Sequence, residues 1–281
     1  MKWLVTGAGG MLGHDLLRVL PAGVTALPRR DLDITDAEAV AAVVAGHDVV
    51  LNAAAWTDVD GAEADEAAAT LVNGTGVETL ALACAKTGAR LIHVSTDYVF
   101  AGDATEPYPE DGPINPINAY GRSKLAGERA VVGALPETGY IVRTAWLYGR
   151  HGKNFVATML RLARERDTVE VVDDQLGQPT WSLDLARQLV ALGAAPGAPA
   201  GVYHGTSSGQ TTWYGLAREI FATAGLDPER VRPTTSEHFV RPARRPAYSV
   251  LGHARWALAG LAPLRDWRAA LHDALPELSD G

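Results

Sequence analysis

"MKWLVTGAGGMLGHDLLRVL", residues 1–20, decides the fold. An apolar run, "WLVT", passes into a turn carrying Gly7, Gly10 and Gly13, and then into the helical pattern "MLGHDLLRVL". Glycines at this spacing lack the Cβ atoms that would keep a phosphate away from backbone amides at a helix N-terminus. Such a turn also serves a plain strand-to-helix connection. Here a strand precedes it and a helix follows, which is the context a dinucleotide pyrophosphate site requires. Gly7, Gly10, Met11, Leu12 and Gly13 are therefore read as a pyrophosphate loop.

Outward from that loop the same alternation repeats. "VTAL" precedes "DAEAVAAVVAG", "DVVLNAAA" precedes "ADEAAATLVNGTGVETLALACAKTG", and "RLIHVSTD" and "YIVRTAWLYG" flank a further helix. Runs apolar at every position suit strands buried on both faces. The expectation is an α/β fold, a Rossmann-type doubly wound parallel sheet with a smaller C-terminal substrate-binding lobe. After roughly residue 150 the rhythm weakens, and the tail reads as helices joined by Pro- and Arg-rich loops. The division predicted is a dinucleotide-binding domain over 1–150 plus roughly 183–207, and a lobe over 151–182 and 208–281.

Composition narrows the function. The chain has 281 residues, 47% apolar and 21% charged, and a net charge of -8, which argues against a general nucleic-acid binder. One cysteine, Cys84 in "LALACAKTG", excludes an internal disulfide framework and reads as a buried small side chain. The first apolar run is too short for a signal peptide, and no stretch reaches the roughly 18 apolar residues of a membrane span. A cytoplasmic protein is expected. No His/Cys cluster suggests a catalytic metal, and His14, His151 and His204 read as loop or surface residues.

The second strand ends at "PRRDLDITD". Arginines at that tip would accept the 2′-phosphate of NADP, whereas an acid would bind the 2′-hydroxyl of NAD. Arg29 and Arg30 come first and favour NADPH; Asp31 keeps NADH open. Asp33 and Ile34 would lie along the adenine. Ala53, Ala54 and Ala55 would let backbone approach the cofactor, or else mark a tightly packed strand end.

Tyr120 and Lys124 stand at i and i+4 and so share one helix face. A tyrosine titrating near ~10 is a poor acid–base catalyst unless a neighbouring ammonium lowers it. Thr96, at the end of the fourth strand, could hydrogen-bond a carbonyl that Tyr120 protonates. Alone, Y-x-x-x-K is most often an exposed helix face. Joined to the glycine loop it becomes a reductase constellation.

"TGAGGMLG", "LNAAAWTDVDGAE", "VSTDYVFAG" and "YGRSKLAGE" resemble the extended short-chain dehydrogenase/reductase family. "RTAWLYG", "NFVATMLRLA", "DDQLGQPT" and "RPAYS" extend the resemblance over nearly the whole chain. It implies NAD(P)H-dependent reduction of the C4 ketone of dTDP-4-dehydro-L-rhamnose to dTDP-L-rhamnose. Thr96, Tyr120 and Lys124 would then form the catalytic triad, with Tyr120 as acid and Lys124 also holding the nicotinamide ribose. Asp97, Tyr98 and Trp146 match sugar-contacting positions, although Trp146 also fits a core aromatic. Asn154 and Phe155 fall where the family lines the nucleotide pocket, and Arg245 where it meets the pyrophosphate. Some members dimerise through Mg²⁺ held by glutamates; Asp15 matches one such position and the others have no match. A homodimer stays open, without the metal bridge. Three alternatives remain: another nucleotide-sugar 4-ketoreductase, a non-catalytic regulatory subunit, which would have no need of the triad, or an epimerase, which would need a ring-rotation pocket and tightly held NAD.

Overall fold

The computed structural model describes residues 1–279. β1 (Trp3–Thr6), α1 (Met11–Val19), β2 (Thr25–Leu27), α2 (Ala37–Val44) and β3 (Val49–Asn52) open the chain. α3 (Val59–Ala64), α4 (Glu66–Thr70) and α5 (Gly76–Thr87) lead to β4 (Arg90–Thr96), α6 (Ala119–Ala134) and β5 (Gly139–Thr144). Next come β6 (Leu147–Tyr148), α7 (Phe155–Glu165), β7 (Val169–Val172), β8 (Leu176–Gly177) and β9 (Thr180–Trp181). α8 (Ser182–Ala194), β10 (Gly201–His204), β11 (Ser207–Ser208), β12 (Thr211–Thr212) and α9 (Trp213–Thr223) follow. β13 (Val231–Thr234), β14 (Leu264–Asp266) and α10 (Trp267–Ser279) complete the described chain.

Six parallel strands form the main sheet in the order β10-β5-β4-β3-β1-β2. Successive residues alternate between its two faces. Trp3 and Val5 of β1 pack with Leu12 and Leu16 of α1 and Leu185 and Leu189 of α8. Leu4 packs on the opposite face with Val40 and Val44 of α2, Leu80 of α5 and Val131 of α6. Burying each of these side chains is worth roughly 1.5–3 kcal/mol, which is why the strands read as unbroken apolar runs. Strand order reverses between β1 and β3. That switch point leaves a crevice beyond the C-terminal strand ends, where ligands of open α/β sheets bind.

Helix α6 carries the Tyr-Lys pair, and its start is fixed three ways. Asn118 caps it by accepting from Gly121 N (2.8 Å), and its amide donates to Arg244 O (2.9 Å). Glu63 of α3 accepts from Ala119 N at 2.7 Å. Between α4 and α5 the helix widens into a π segment, Leu71–Thr75, which the sequence pattern had read as plain helix. The tail also departs from expectation. It supplies β13, parallel to β7, and β14, parallel to β11, so it is not helical alone. Among the described residues no helix is long and apolar enough to cross a membrane. Cys84 is buried, and burial pushes its thiol up to about 12.

Candidate active site

The glycine turn is built by close approach. Gly7 has φ +70°, and a Cβ there would lie 2.4 Å from Ala54 N. A Cβ on Gly13 would lie 2.5 Å from Gly7 O. Gly10 starts α1 without a side-chain cap, so the first-turn amides are not taken up by the chain itself and suit an anion. Gly7→Ala is expected to destabilise the fold by about 1–3 kcal/mol and to abolish dinucleotide binding, measured by thermal unfolding and calorimetric titration.

Around this turn the expected neighbours divide. Ala53, Ala54 and Ala55 are half-buried beside Gly7, and Met11 is half-buried at the start of α1. Leu12 and Ile34 are core side chains, at 6% and 4% exposure, so only their backbone could meet a cofactor. Arg30 is exposed, with its guanidinium 3.7 Å from Asp31. Asp33 is exposed and accepts from Thr35 N and Oγ1 of its own loop at 3.0 and 2.8 Å.

Thr96, Tyr120 and Lys124 meet at the C-terminal end of β4. The Thr96 hydroxyl donates to Asp97 Oδ1 at 3.0 Å and accepts from Tyr98 N at 3.2 Å. Tyr120 lies edge-on to Tyr98, ring centroids 5.9 Å apart. Burial, and then the Asp97 charge, push the Tyr120 phenol above its ordinary value, with Thr96 partly offsetting them. The sequence led us to expect a phenol lowered by Lys124; desolvation prevails instead, and the phenol keeps its proton. Lys124 is almost fully buried, donates from Nζ to Val94 O at 2.7 Å, and lies 3.4 Å from His93 Nε2. Burial lowers it to about 8, against the opposing pull of Glu128.

Asp97 is the second strained titratable group. It is 3% exposed, its Oδ2 is buried without a hydrogen-bond partner, and burial raises it to about 6. A carboxyl raised from 3.8 contributes its full stability below that value and loses it as pH rises through about 6. Asp97→Asn should therefore stabilise the protein by about 3 kcal/mol at pH 7–8 and hardly at all at pH 4, read from unfolding curves at both pH values.

A cleft of about 840 Å³ adjoins this cluster, with Tyr98 on its wall. Phe155, Trp213, Gln175, Arg241 and Arg245 are among its other lining residues. Trp146 stacks on Trp213, centroids 3.6 Å apart and 9° from parallel, with Phe155 tilted against Trp213 at 4.6 Å. Trp146 is half-buried and holds φ +48°, a left-handed conformation that costs a non-glycine residue about 1 kcal/mol or more. That kink separates β5 from β6, which the sequence had suggested were one run. Arg245 is in the cleft wall with its guanidinium paired to Asp60 at 2.6 and 3.0 Å. Asn154 is spent as the N-cap of α7, accepting from Ala157 N and donating to the carbonyls of Gly149 and Gly152. It does not line the cleft.

Comparison with known proteins decides the family. The profile described as "RmlD substrate binding domain" matches residues 1–279. The chain belongs to the RmlD substrate-binding-domain family. It is 59% identical to a dTDP-4-dehydrorhamnose reductase of Streptomyces griseus, over 99% of this chain and 94% of that protein. It is 56% identical to a dTDP-4-keto-6-deoxy-D-glucose reductase of Streptomyces niveus, over 99% and 98%. The crystal structure of a dTDP-4-dehydrorhamnose reductase of Bacillus anthracis in complex with NADP superposes with a TM-score of 0.94 at 37% identity, covering 98% of this chain and 99% of that one.

As an RmlD-family chain it carries features that the linear sequence concealed. Trp213 and Gln175 of the cleft escaped notice because they come from separate segments that only the fold joins, by a Trp213 Nε1 to Gln175 Oε1 hydrogen bond of 3.1 Å. Asp15 is buried and tied to Ser182 (2.5 Å) and Arg18 (3.0 Å), so it is no free ligand for a metal at an interface. His204 corrects a surface expectation. It is fully buried in β10, its Nδ1 is 2.9 Å from Gly252 O, and its ring lies edge-on to Phe100. His14 and His151 stack on each other at 4.2 Å.

Proposed function

We propose that this RmlD-family chain reduces the C4 ketone of dTDP-4-dehydro-L-rhamnose, with NADPH as donor. The observation that carries this reading is the convergence of buried Thr96 and Lys124 with half-buried Tyr120 at a strand end beside the glycine turn. The turn from Gly7 to Gly13, Ala53–Ala55, Arg30 and Lys124 would hold the dinucleotide, and the uncapped start of α1 suits its pyrophosphate. When bound, the nicotinamide supplies the hydride.

The protein's own groups do the rest. Thr96 orients the ketone oxygen, and Tyr120, whose phenol stays protonated at neutral pH, donates its proton there as the alcohol forms. Lys124, an ammonium below about 8, stabilises the phenolate left behind. The aromatic wall of Phe155 and Trp213 offers a face to the nucleobase, and Arg241 and Arg245 offer charge to the diphosphate. Residues 151–182 and 208–279 would serve as the lobe that holds the sugar nucleotide, and residues 280 and 281 of the expected lobe lie outside the described residues. We assign the enzyme to the cytoplasm.

A second reading is favoured by the 56% identity to a dTDP-4-keto-6-deoxy-D-glucose reductase. The chemistry is the same and the sugar differs. Purified protein should be assayed for NADPH and NADH oxidation with each of the two 4-keto sugars. Turnover of dTDP-4-dehydro-L-rhamnose, faster with NADPH, is the expected result. Turnover of the other sugar alone overturns the rhamnose assignment, and inertness toward both with tight binding of a protein partner turns the reading to a regulatory subunit.

A further inference from the structure

A polar ladder crosses the core beneath the catalytic residues. Thr6, Asn52 and His93 are direct register partners on β1, β3 and β4. They share the sheet face that α6 covers, and their exposures are 0%, 1% and 0%. Three polar side chains in the middle of a parallel sheet are costly unless each is satisfied. Here each one hands a hydrogen bond to the next, and the ladder ends on Lys124.

The direction of those bonds is fixed by a group that can only donate. Ala54 N–H donates to Asn52 Oδ1 at 3.1 Å, and Thr6 Oγ1 donates to the same oxygen at 2.7 Å. That settles which end of the Asn52 amide is oxygen. Its NH₂ then faces His93 Nδ1 at 3.0 Å, so Nδ1 accepts. Burial keeps the ring neutral, holding His93 well below its ordinary value, and a neutral ring that accepts at Nδ1 carries its proton on Nε2. Nε2 is the atom that faces Lys124 Nζ, at 3.4 Å.

We propose that His93 is a positioning residue for Lys124: its Nε2–H, oriented by Asn52 and Thr6, opposes an ammonium at Nζ and favours the amine. The role rests on Lys124 serving the reduction as proposed above. Nζ thus has one acceptor, Val94 O, and one opposing donor. Other charged groups on the elements packed against α6 are occupied elsewhere. Glu63 and Asp60 of α3 hold Ala119 N and Arg245, and Glu66 of α4 holds Arg122. Arg143 of β5 pairs with Glu128, Cys84 of α5 keeps its proton to about 12, and Glu78 and Lys86 of α5 are exposed. Asp97 and Tyr98, in the turn after β4, act on Tyr120 and on each other. Among the described residues the charge that acts on Lys124 is Glu128, and it favours the ammonium. Burial and the His93 donor therefore stand together on the amine side.

The polarity can be reversed with almost no change of shape. In Asn52→Asp, Ala54 N–H and Thr6 still find an oxygen, but the atom facing His93 becomes an acceptor. The ring proton should move to Nδ1 and leave Nε2 as an acceptor for Lys124. Imidazole ¹⁵N NMR of the intact protein is expected to show an Nε2–H ring in the wild type and an Nδ1–H ring in Asn52→Asp. The Lys124 titration, followed by side-chain NMR, should rise by at least about one pH unit in the variant. Glu128→Gln serves as the charge control: it should lower the Lys124 titration and leave the tautomer unchanged. An Nδ1–H or doubly protonated ring in the wild type overturns the proposal even if the variant does not fold. So does an Asn52→Asp protein whose Lys124 titrates where it did before. Both measurements are made without substrate, so a chain that reduces no dTDP-sugar still answers them.

Discussion

Tyr120→Phe is expected to lower kcat by roughly 10²–10⁴-fold while leaving NADPH affinity within about twofold, because only the proton donor is removed. The phenol is placed by the first turn of α6, which Asn118 and Glu63 pin at its start. The ring also keeps its edge-on contact with Tyr98, which phenylalanine retains. The loss should therefore fall on kcat and not on binding. Steady-state kinetics beside a calorimetric titration with NADPH would check it. A variant retaining more than about a tenth of wild-type kcat would remove Tyr120 from the role of acid.

Lys124→Met should be more stable than the wild type at pH 7 and lose most of its reduction. The lysine is lowered from 10.5 to about 8 by burial. A group depressed in this way has its full stability above the unfolded value and loses it as pH falls through about 8. At pH 7 the buried ammonium then costs about 3 kcal/mol. Methionine fills similar volume but forfeits the bond to Val94 O, worth about 1 kcal/mol. The net gain of about 2 kcal/mol would raise Tm by some degrees at pH 7 and vanish above roughly pH 10. Thermal unfolding across that pH range tests the sign as well as the size. A destabilised Lys124→Met at pH 7 would mean that the polar contacts of Nζ outweigh its desolvation.

Legibility in the sequence followed the range of the interactions. The β1–turn–α1 unit was readable because strand, glycines and helix are contiguous, and Tyr120 with Lys124 because i,i+4 spacing is enough to place two side chains on one face. Asn52 and His93 were not. Each reads as a stray polar residue near the end of an apolar run, and their meaning lies in a cross-strand register that only the assembled sheet creates. The π segment Leu71–Thr75 escaped for a related reason. It lies against α6, where Gly74 comes close to Ala126, and its extra residue per turn answers that packing more than any local propensity. Asn154 is a different case: the family resemblance suggested a place in the nucleotide pocket, and the fold shows its side chain capping the start of α7, which no local pattern announced.

The stacked pair of Trp146 and Trp213 gives the protein a built-in optical reporter. Two indoles 3.6 Å apart and 9° from parallel form a fixed chromophore pair, so their shared near-ultraviolet circular dichroism depends on the cleft keeping its shape. A nucleotide settling against Trp213 must perturb that signal, and a Trp213→Phe difference spectrum isolates it from the five tryptophans outside the pair. Occupancy of the cleft can thus be followed in the unlabelled protein, separately from any turnover at Tyr120.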